Sequence, residues 1–130
     1  MTENELRLTL LWPRMAVCRL HRQAPVPDWG MAGDFWSVTR TADELSVVCA
    51  ERSVPDGVVA EIGWRALKIE GPLDFGMVGV LAGLTTALAE AEISIFAVST
   101  YDTDYLLVKS GDVAEAVRVL RDAMYVVDGG

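Results

Sequence analysis

Apolar, aromatic and β-branched residues fall into four short runs along the first half of the chain. Such runs, separated by turn residues, are typical of β-strands. Pro13 and Arg14 lie between the first two runs and predict a hairpin turn, and residues 41–44 form the turn between the last two. The first half is therefore predicted to be mostly strand. The four runs are residues 7–12, 15–20, 35–40 and 45–50.

The second half combines strand runs with two segments of helical periodicity. Apolar positions repeat with the helical period between residues 76 and 91, and Asp74 is placed to cap the helix that this pattern predicts. Asp112, with Glu115 three residues later, predicts a second helix that starts with a capping box. The element order is β-α-β-β-α-β, that of a ferredoxin-like α+β fold with an antiparallel sheet. Its strands are predicted at residues 64–70, 93–98, 104–109 and 124–127.

A weak internal repeat relates the two halves. A shift of 60 residues lays residues 37–48 over residues 97–108, and both segments are predicted as strand, polar turn, strand. We interpret the chain as two related units, of which the first has a reduced helix content. The turn-rich residues 54–57 place the boundary near residue 60. The predicted domains are residues 1–60 and residues 61–130.

Composition and charge exclude several classes of function. The chain has 130 residues, of which 52% are hydrophobic, so one compact domain or two small ones can fold without metal or disulfide. A net charge of −8 disfavours binding to nucleic acid. No apolar run reaches the length of a membrane span, and the acidic N-terminus lacks a signal peptide's pattern, so we expect no membrane association and a cytoplasmic location.

The patterns of common metal sites and catalytic motifs are missing. Cys18 and Cys49 lie inside apolar runs and are expected to be reduced core residues. A zinc site would need both of them, the single histidine His21 and a carboxylate, without any closely spaced ligand pair. Neither a calcium-binding EF-hand loop, a nucleophile elbow nor a P-loop is present. We therefore expect no cofactor and no metal.

The most polar segment between predicted strands is residues 99–105. Its seven successive side chains can all form hydrogen bonds, which a simple turn rich in side chain to backbone bonds would also explain. In a β-α-β-β-α-β unit, the loop at residues 71–76 is expected on the same side. The helix that follows this loop would offer free backbone N–H groups to an anion such as a carboxylate.

Several strings of the sequence resemble one family along nearly the whole chain. They are residues 41–49, 63–64 with 67–68, 71–75, 79–82 and 94–109. In order and spacing they are similar to the bacterial members of the CASTOR-type ACT-domain family. The resemblance implies two tandem ACT units, a reduced one at residues 1–60 and an ACT domain at residues 61–130. It also implies a regulatory role in which a small molecule, usually an amino acid, binds between units.

The resemblance also implies a set of ligand-binding residues. They come from the polar turn, from the loop before the first helix and from a strand of the first unit. At one position the arginine sensors of the family place a glutamate and this sequence has Met77, which removes a charge-assisted partner for a guanidinium and disfavours arginine as ligand. The residues are Ser37, Val38, Asp74, Phe75, Gly76, Met77, Ser99, Thr100, Tyr101 and Asp104.

Three functions compete at this point. The first is a non-catalytic sensor in which the 75–77 backbone binds a carboxylate and Asp104 binds an ammonium group. The second is a structural or protein-interaction module without a small ligand. The third is an enzyme that uses Asp74, Asp102 or Asp104 as a general base. We further expect a monomer or a weak homodimer, since four tryptophans lie in a small body.

Overall fold

The computed structural model describes residues 6–70 and 79–129. The chain divides into two compact units, which we call the composite unit, Met1–Trp12 with Arg65–Gly130, and the inserted unit, Pro13–Trp64. The predicted division at residue 60 stays a prediction. The strands are β1 (Arg7–Leu20), β2 (Ser37–Arg40), β3 (Leu45–Ala50), β4 (Val59–Ile69), β5 (Ile95–Ser99), β6 (Asp104–Lys109) and β7 (Val126–Asp128); the helices are α1 (Val80–Glu90) and α2 (Val113–Asp122).

The composite unit has a mixed α/β, ferredoxin-like fold with two helices. Its elements from β4 onward follow the predicted order β-α-β-β-α-β, and β5 and β6 form an antiparallel hairpin. The first half of β1 lies between β7 and β4. It pairs with β7 in parallel, with Arg7 opposite Val126 and Thr9 opposite Asp128, and Arg7 forms an ion pair with Asp128.

The predicted hairpin at Pro13 and Arg14 is wrong, because residues 7–20 form one continuous strand. Proline lacks an N–H donor and usually interrupts a sheet. Residue 13 lies between the part of β1 that pairs with β7 and the part, from Met15 onward, that pairs with β3, so neither of these registers requires its N–H. The proline therefore marks a change of partner strand rather than a turn.

Both helices of the composite unit bury one face in a single core. Leu84 and Leu88 of α1 are fully buried, as their spacing predicts, together with Leu120 of α2. Strands of the sheet supply the opposite side of this core. The buried members are Leu8, Leu10, Leu67, Ile69, Leu84, Leu88, Ile93, Leu106, Val108, Ala116, Val117, Leu120 and Val127. None of the helices in the described part of the chain is long and apolar enough to span a membrane.

The starts of both helices differ from the prediction. Helix α1 begins at Val80, because Gly79 adopts a left-handed conformation with φ 86°, which is incompatible with a continuing helix. The proposed cap, Asp74, lies outside the described residues. The capping box at α2 is also wrong, because Asp112 makes no side-chain cap hydrogen bond and Glu115 pairs with Arg118 instead.

The inserted unit consists mostly of strand, as predicted. Strands β2 and β3 pair antiparallel, and β3 also pairs antiparallel with the second half of β1. A short 3-10 helix at Asp28–Met31 brings Gly30 against this layer, where a Cβ atom would lie 2.7 Å from Cγ1 of Val47. The buried core contains Ala16, Cys18, Leu45, Val47 and Cys49.

The hairpins β2–β3 and β5–β6 have the same geometry. In each, four residues connect the strands, since Arg40 pairs with Leu45 and Ser99 pairs with Asp104. Equivalent residues are therefore 59 positions apart, from 40 to 99 and from 45 to 104, and not 60 as the sequence shift suggested. The 60-residue shift therefore matches the correct pairs of strands, but it is wrong by one residue. Because side chains alternate between the two faces of a strand, that shift compares residues on opposite faces.

Candidate functional site

The β5–β6 turn ends in a pair of polar side chains. Ser99 is the last residue of β5 and Asp104 the first of β6, and they are the final pair of the hairpin register. The Ser99 hydroxyl donates a hydrogen bond to Oδ1 of Asp104. Among the described residues no donor reaches the other carboxylate oxygen, Oδ2. The pair therefore presents a half-buried, oriented carboxylate with one oxygen available.

Two threonines hold the turn between these strands. The Thr100 N–H donates to the Thr103 carbonyl at 2.8 Å, and the Thr100 hydroxyl donates to the same oxygen at 3.0 Å. Thr103 is buried, and its hydroxyl donates to the carbonyl of Ile69 at the end of β4. The turn is thus fixed both internally and to the strand that precedes residues 71–78. This arrangement gives Asp104 a defined position.

The remaining turn residues face solvent. Tyr101 is 80% exposed, and Asp102 is exposed as well. The exposure of Asp102 agrees with the alternative that this segment is a simple turn. Of the predicted residues, the composite unit therefore brings together Ser99, Thr100 and Asp104, with Tyr101 beside them.

Ser37 and Val38 lie on β2 of the inserted unit. Ser37 pairs with Val48 and Val38 with Val47, and both side chains are half-buried. Val38 packs against the core of this unit, so Ser37 projects from the opposite face of the strand. The other predicted ligand residues, Asp74, Phe75, Gly76 and Met77, lie outside the described residues.

Thr103 holds the candidate site in place, and sequence reasoning did not select it. It lies within the polar 99–105 segment, for which a simple turn is the alternative prediction. A buried threonine whose hydroxyl bonds to a strand carbonyl leaves no separate signal in a sequence, because threonine also occurs in exposed turns. Its contact with Ile69 is what links the turn to the end of β4.

The two cysteines form a buried pair of free thiols in the inserted unit. Their positions on the paired strands β1 and β3 are diagonal, since Ala16 lies opposite Cys49 and Cys18 opposite Val47. The hydrogen bond with Cys49, together with burial, raises the pKa of the Cys18 thiol. The burial of both thiols agrees with the prediction that Cys18 and Cys49 are core residues.

Comparisons with family models and with curated proteins indicate one family. A family model described as an ACT domain matches residues 59–122, and a model described as an N-terminal domain matches residues 14–57. A protein of Bos taurus named cytosolic arginine sensor for mTORC1 subunit 1 is 36% identical over 97 residues, which cover 66% of this chain. The chain belongs to the CASTOR-type ACT-domain family. It spans 30% of the length of that CASTOR-type relative.

Solved structures are similar to nearly the full length of this CASTOR-type chain. Protein Atu0741 from Agrobacterium tumefaciens is 35% identical, with a TM-score of 0.90, and the match covers 95% of this chain and 92% of that one. Aspartokinase α and β subunits are 15% identical, with a TM-score of 0.65, and the match covers 89% and 95%. At that identity the aspartokinase match shows the fold alone.

Proposed function

We propose that this chain is a non-catalytic regulatory module that binds an amino acid through the turn between β5 and β6. The observation that carries the proposal is the Ser99–Asp104 pair, because it holds a carboxylate at the end of a fixed hairpin with Oδ2 available. A carboxylate in this state is suited to the ammonium group of a zwitterion. The arginine-sensor relative supports the same class of ligand.

The ligand's own carboxylate needs a complementary group near Asp104. The backbone N–H groups of residues 75–77 are proposed for this role, since they precede α1 and follow the end of β4, to which Thr103 ties the turn. Met77 stands at the position where the arginine sensors of the family place a glutamate, so this position offers no charge-assisted bond to a guanidinium. We therefore propose an amino acid other than arginine.

The proposed site further uses Ser37 and Val38, with the two units acting as tandem ACT units. Support for tandem units comes from the two hairpins, in which Thr41 and Thr100 make the same turn hydrogen bonds. The cytoplasm is the proposed location, and a weak homodimer the proposed assembly.

A thermal-shift screen of the twenty amino acids tests the proposal. A ligand at 100 times its Kd stabilises the folded state by about 2.7 kcal/mol. Asp104→Asn should abolish that stabilisation, and Ser99→Ala should weaken it because the carboxylate loses its orienting bond. Asp102→Asn is the matched control, since it removes the same charge from an exposed position of the same turn.

Each outcome of the screen has a defined meaning. Stabilisation that persists in Asp104→Asn would show that the site lies elsewhere. If none of the amino acids stabilises the protein, the alternative of an interaction module without a small ligand is favoured.

Assembly is tested by sedimentation across a salt series. An apolar dimer of chains with charge −8 should tighten as salt rises, and a monomer at every salt concentration would exclude the dimer.

A further inference from the structure

The composite unit carries a groove that the amino-acid site does not use. It lies along α2, beside Leu10 and Trp12 of β1 and Arg65 of β4. Its volume is about 590 Å³, within the range of about 300–1,000 Å³ that small-molecule sites occupy. Val113 and Val117 of α2 give it an apolar wall. We call it the arginine groove, because all of its charged lining residues are arginines.

Three arginines, Arg65, Arg118 and Arg121, line the arginine groove. No aspartate or glutamate is found among its described lining residues, although the chain as a whole carries a net charge of −8. A local excess of positive charge in an acidic protein is the electrostatic pattern of an anion site. The charged residues that line the groove are therefore all positive.

The three arginines differ in how their charge is balanced. Arg118 lies between two carboxylates, as its guanidinium bonds to Glu115 and to Asp122. Arg65 and Arg121 have no carboxylate within ion-pair distance among the described residues. Arg121 donates to the carbonyl of Val127 at 2.6 Å, so its position is fixed while its charge stays uncompensated. Two guanidinium groups in the groove therefore have charge available for a ligand.

Arg65 is held in place before any ligand binds. Its Nε donates to the carbonyl of Leu11 at 3.0 Å, and its guanidinium carbon lies 5.5 Å from the centre of the Trp12 ring. The backbone bond uses Nε, so both Nη groups keep donors for an oxyanion. Trp12 is 81% exposed, which leaves aromatic surface for the body of a ligand.

Ser110 adds a hydroxyl group to the residues that line the groove. Its Oγ atom is buried and has no hydrogen-bond partner among the described residues, and the residue lines the groove just before α2. A buried hydroxyl without a partner costs about 1–3 kcal/mol. An oxyanion in the groove would accept a hydrogen bond from this hydroxyl.

We propose that the arginine groove binds a small organic anion through a carboxylate or phosphate group. The oxyanion bonds to Arg65 and Arg121 and accepts from Ser110, while the body of the ligand packs on Trp12 and the apolar wall of α2. A zwitterion is disfavoured here, because its ammonium group would face guanidinium groups without a carboxylate to bind it. The groove is therefore a second site, with a ligand class different from that of the turn.

Calorimetric titration with citrate, inorganic phosphate and ATP, at one fixed ionic strength, tests the arginine groove. Citrate tests carboxylates, ATP tests phosphates with a planar body, and inorganic phosphate tests the oxyanion alone. The double variant R65Q/R121Q should weaken binding of the preferred probe by about tenfold or more, since each arginine donates a charge-assisted bond. R22Q/R52Q makes the same change in charge at two exposed arginines of the inserted unit and should leave binding within about twofold.

A second readout uses the exposed ring of Trp12. Its fluorescence should change on binding, and Trp12→Phe should remove that change while R22Q/R52Q retains it. The proposal is wrong if none of the three probes binds at concentrations up to about 10 mM, or if both double variants lose affinity equally, which indicates general charge attraction. Asp104→Asn should bind the anion as the wild type does, so the two proposed sites stand or fall separately.

Discussion

Thr41 and Thr100 occupy equivalent positions in two hairpins and form the same backbone hydrogen bond. The Thr41 N–H donates to the carbonyl of Glu44 at 2.9 Å, and the Thr100 N–H donates to that of Thr103 at 2.8 Å. Each threonine hydroxyl also accepts a backbone N–H from the fourth residue of its turn. The two threonines are 59 residues apart, and the same hydrogen bonds close the β2–β3 and β5–β6 turns.

Replacing either threonine by alanine should destabilise the protein by about 0.5–1.5 kcal/mol, because the turn loses its side-chain hydrogen bonds. Serine at the same positions keeps the hydroxyl and should restore most of the loss. Urea unfolding of Thr41→Ala, Thr100→Ala and the two serine variants measures both effects. Equal losses with alanine and serine would mean that the methyl group, and not the hydroxyl, supports these turns.

Gly30→Ala should destabilise the protein by about 1–3 kcal/mol, because its Cβ would lie 2.7 Å from Cγ1 of the buried Val47. Val47→Ala removes the obstructing atom, so the double variant should be more stable than the sum of the two single losses predicts. Chemical denaturation of the four proteins gives this coupling energy. Strict additivity would show that the strand moves away and that the contact is not limiting.

Gly83→Ala in α1 has two opposing effects. Alanine favours a helix by about 1 kcal/mol over glycine, but the new Cβ would meet Oη of Tyr125 at 2.9 Å. We expect a small net effect in the wild type and the full gain in a Tyr125→Phe background. Gly79→Ala is the contrasting control: no atom of the described residues lies within 4 Å of the added Cβ, and its φ of 86° predicts a loss of about 1–2 kcal/mol. Thermal unfolding compares Gly83→Ala, Gly83→Ala with Tyr125→Phe, and Gly79→Ala. An increase in stability from Gly79→Ala would contradict this account.

Stability should fall as the pH rises above about 8.5, partly through Cys18. Its pKa is raised in the folded state by the hydrogen bond with Cys49 and by burial, so above the pKa of an unfolded thiol the unfolded chain releases a proton that the folded chain retains. The contribution is complete below that pKa and is lost above it. The same hydrogen bond lowers the pKa of Cys49, so the two thiols are replaced together. Cys18→Ala/Cys49→Ala should show a shallower decrease in urea unfolding between about pH 8 and pH 10, and an unchanged slope would remove the thiol pair from the explanation.

Hydrophobic patterning predicted best those elements that have a single environment. Strands β3 and β6 have the predicted bounds, because β-branched and aliphatic residues are continuous there and polar turns limit them. The wrong predictions concern residue types that occur in more than one kind of structure. Pro13 usually marks a turn but is tolerated in β1, where the strand changes partner, and Gly79 fitted a helical repeat but has a backbone conformation that precedes the helix.

The candidate site was predictable in composition but not in its bonding. Ser99 and Asp104 were selected as polar residues of one turn, and the structure joins them by a hydrogen bond. The contact of Thr103 with Ile69 connects residues 34 positions apart, so no local pattern contains it. The arginine groove was also missed, since Arg65 and Arg121 lie on elements that only the tertiary fold brings to one cavity.

The parallel pairing of β1 with β7 has a mechanical consequence. Arg7 and Asp128 lie near opposite ends of the sequence, yet residues 7–9 and 126–128 run side by side in the same direction. Tension applied at residues 7 and 128 would slide these strands along each other, so their hydrogen bonds would bear the load in shear and break together. Perpendicular pulling would open the same bonds one at a time. The protein should therefore resist stretching from its ends more strongly than three residue pairs suggest.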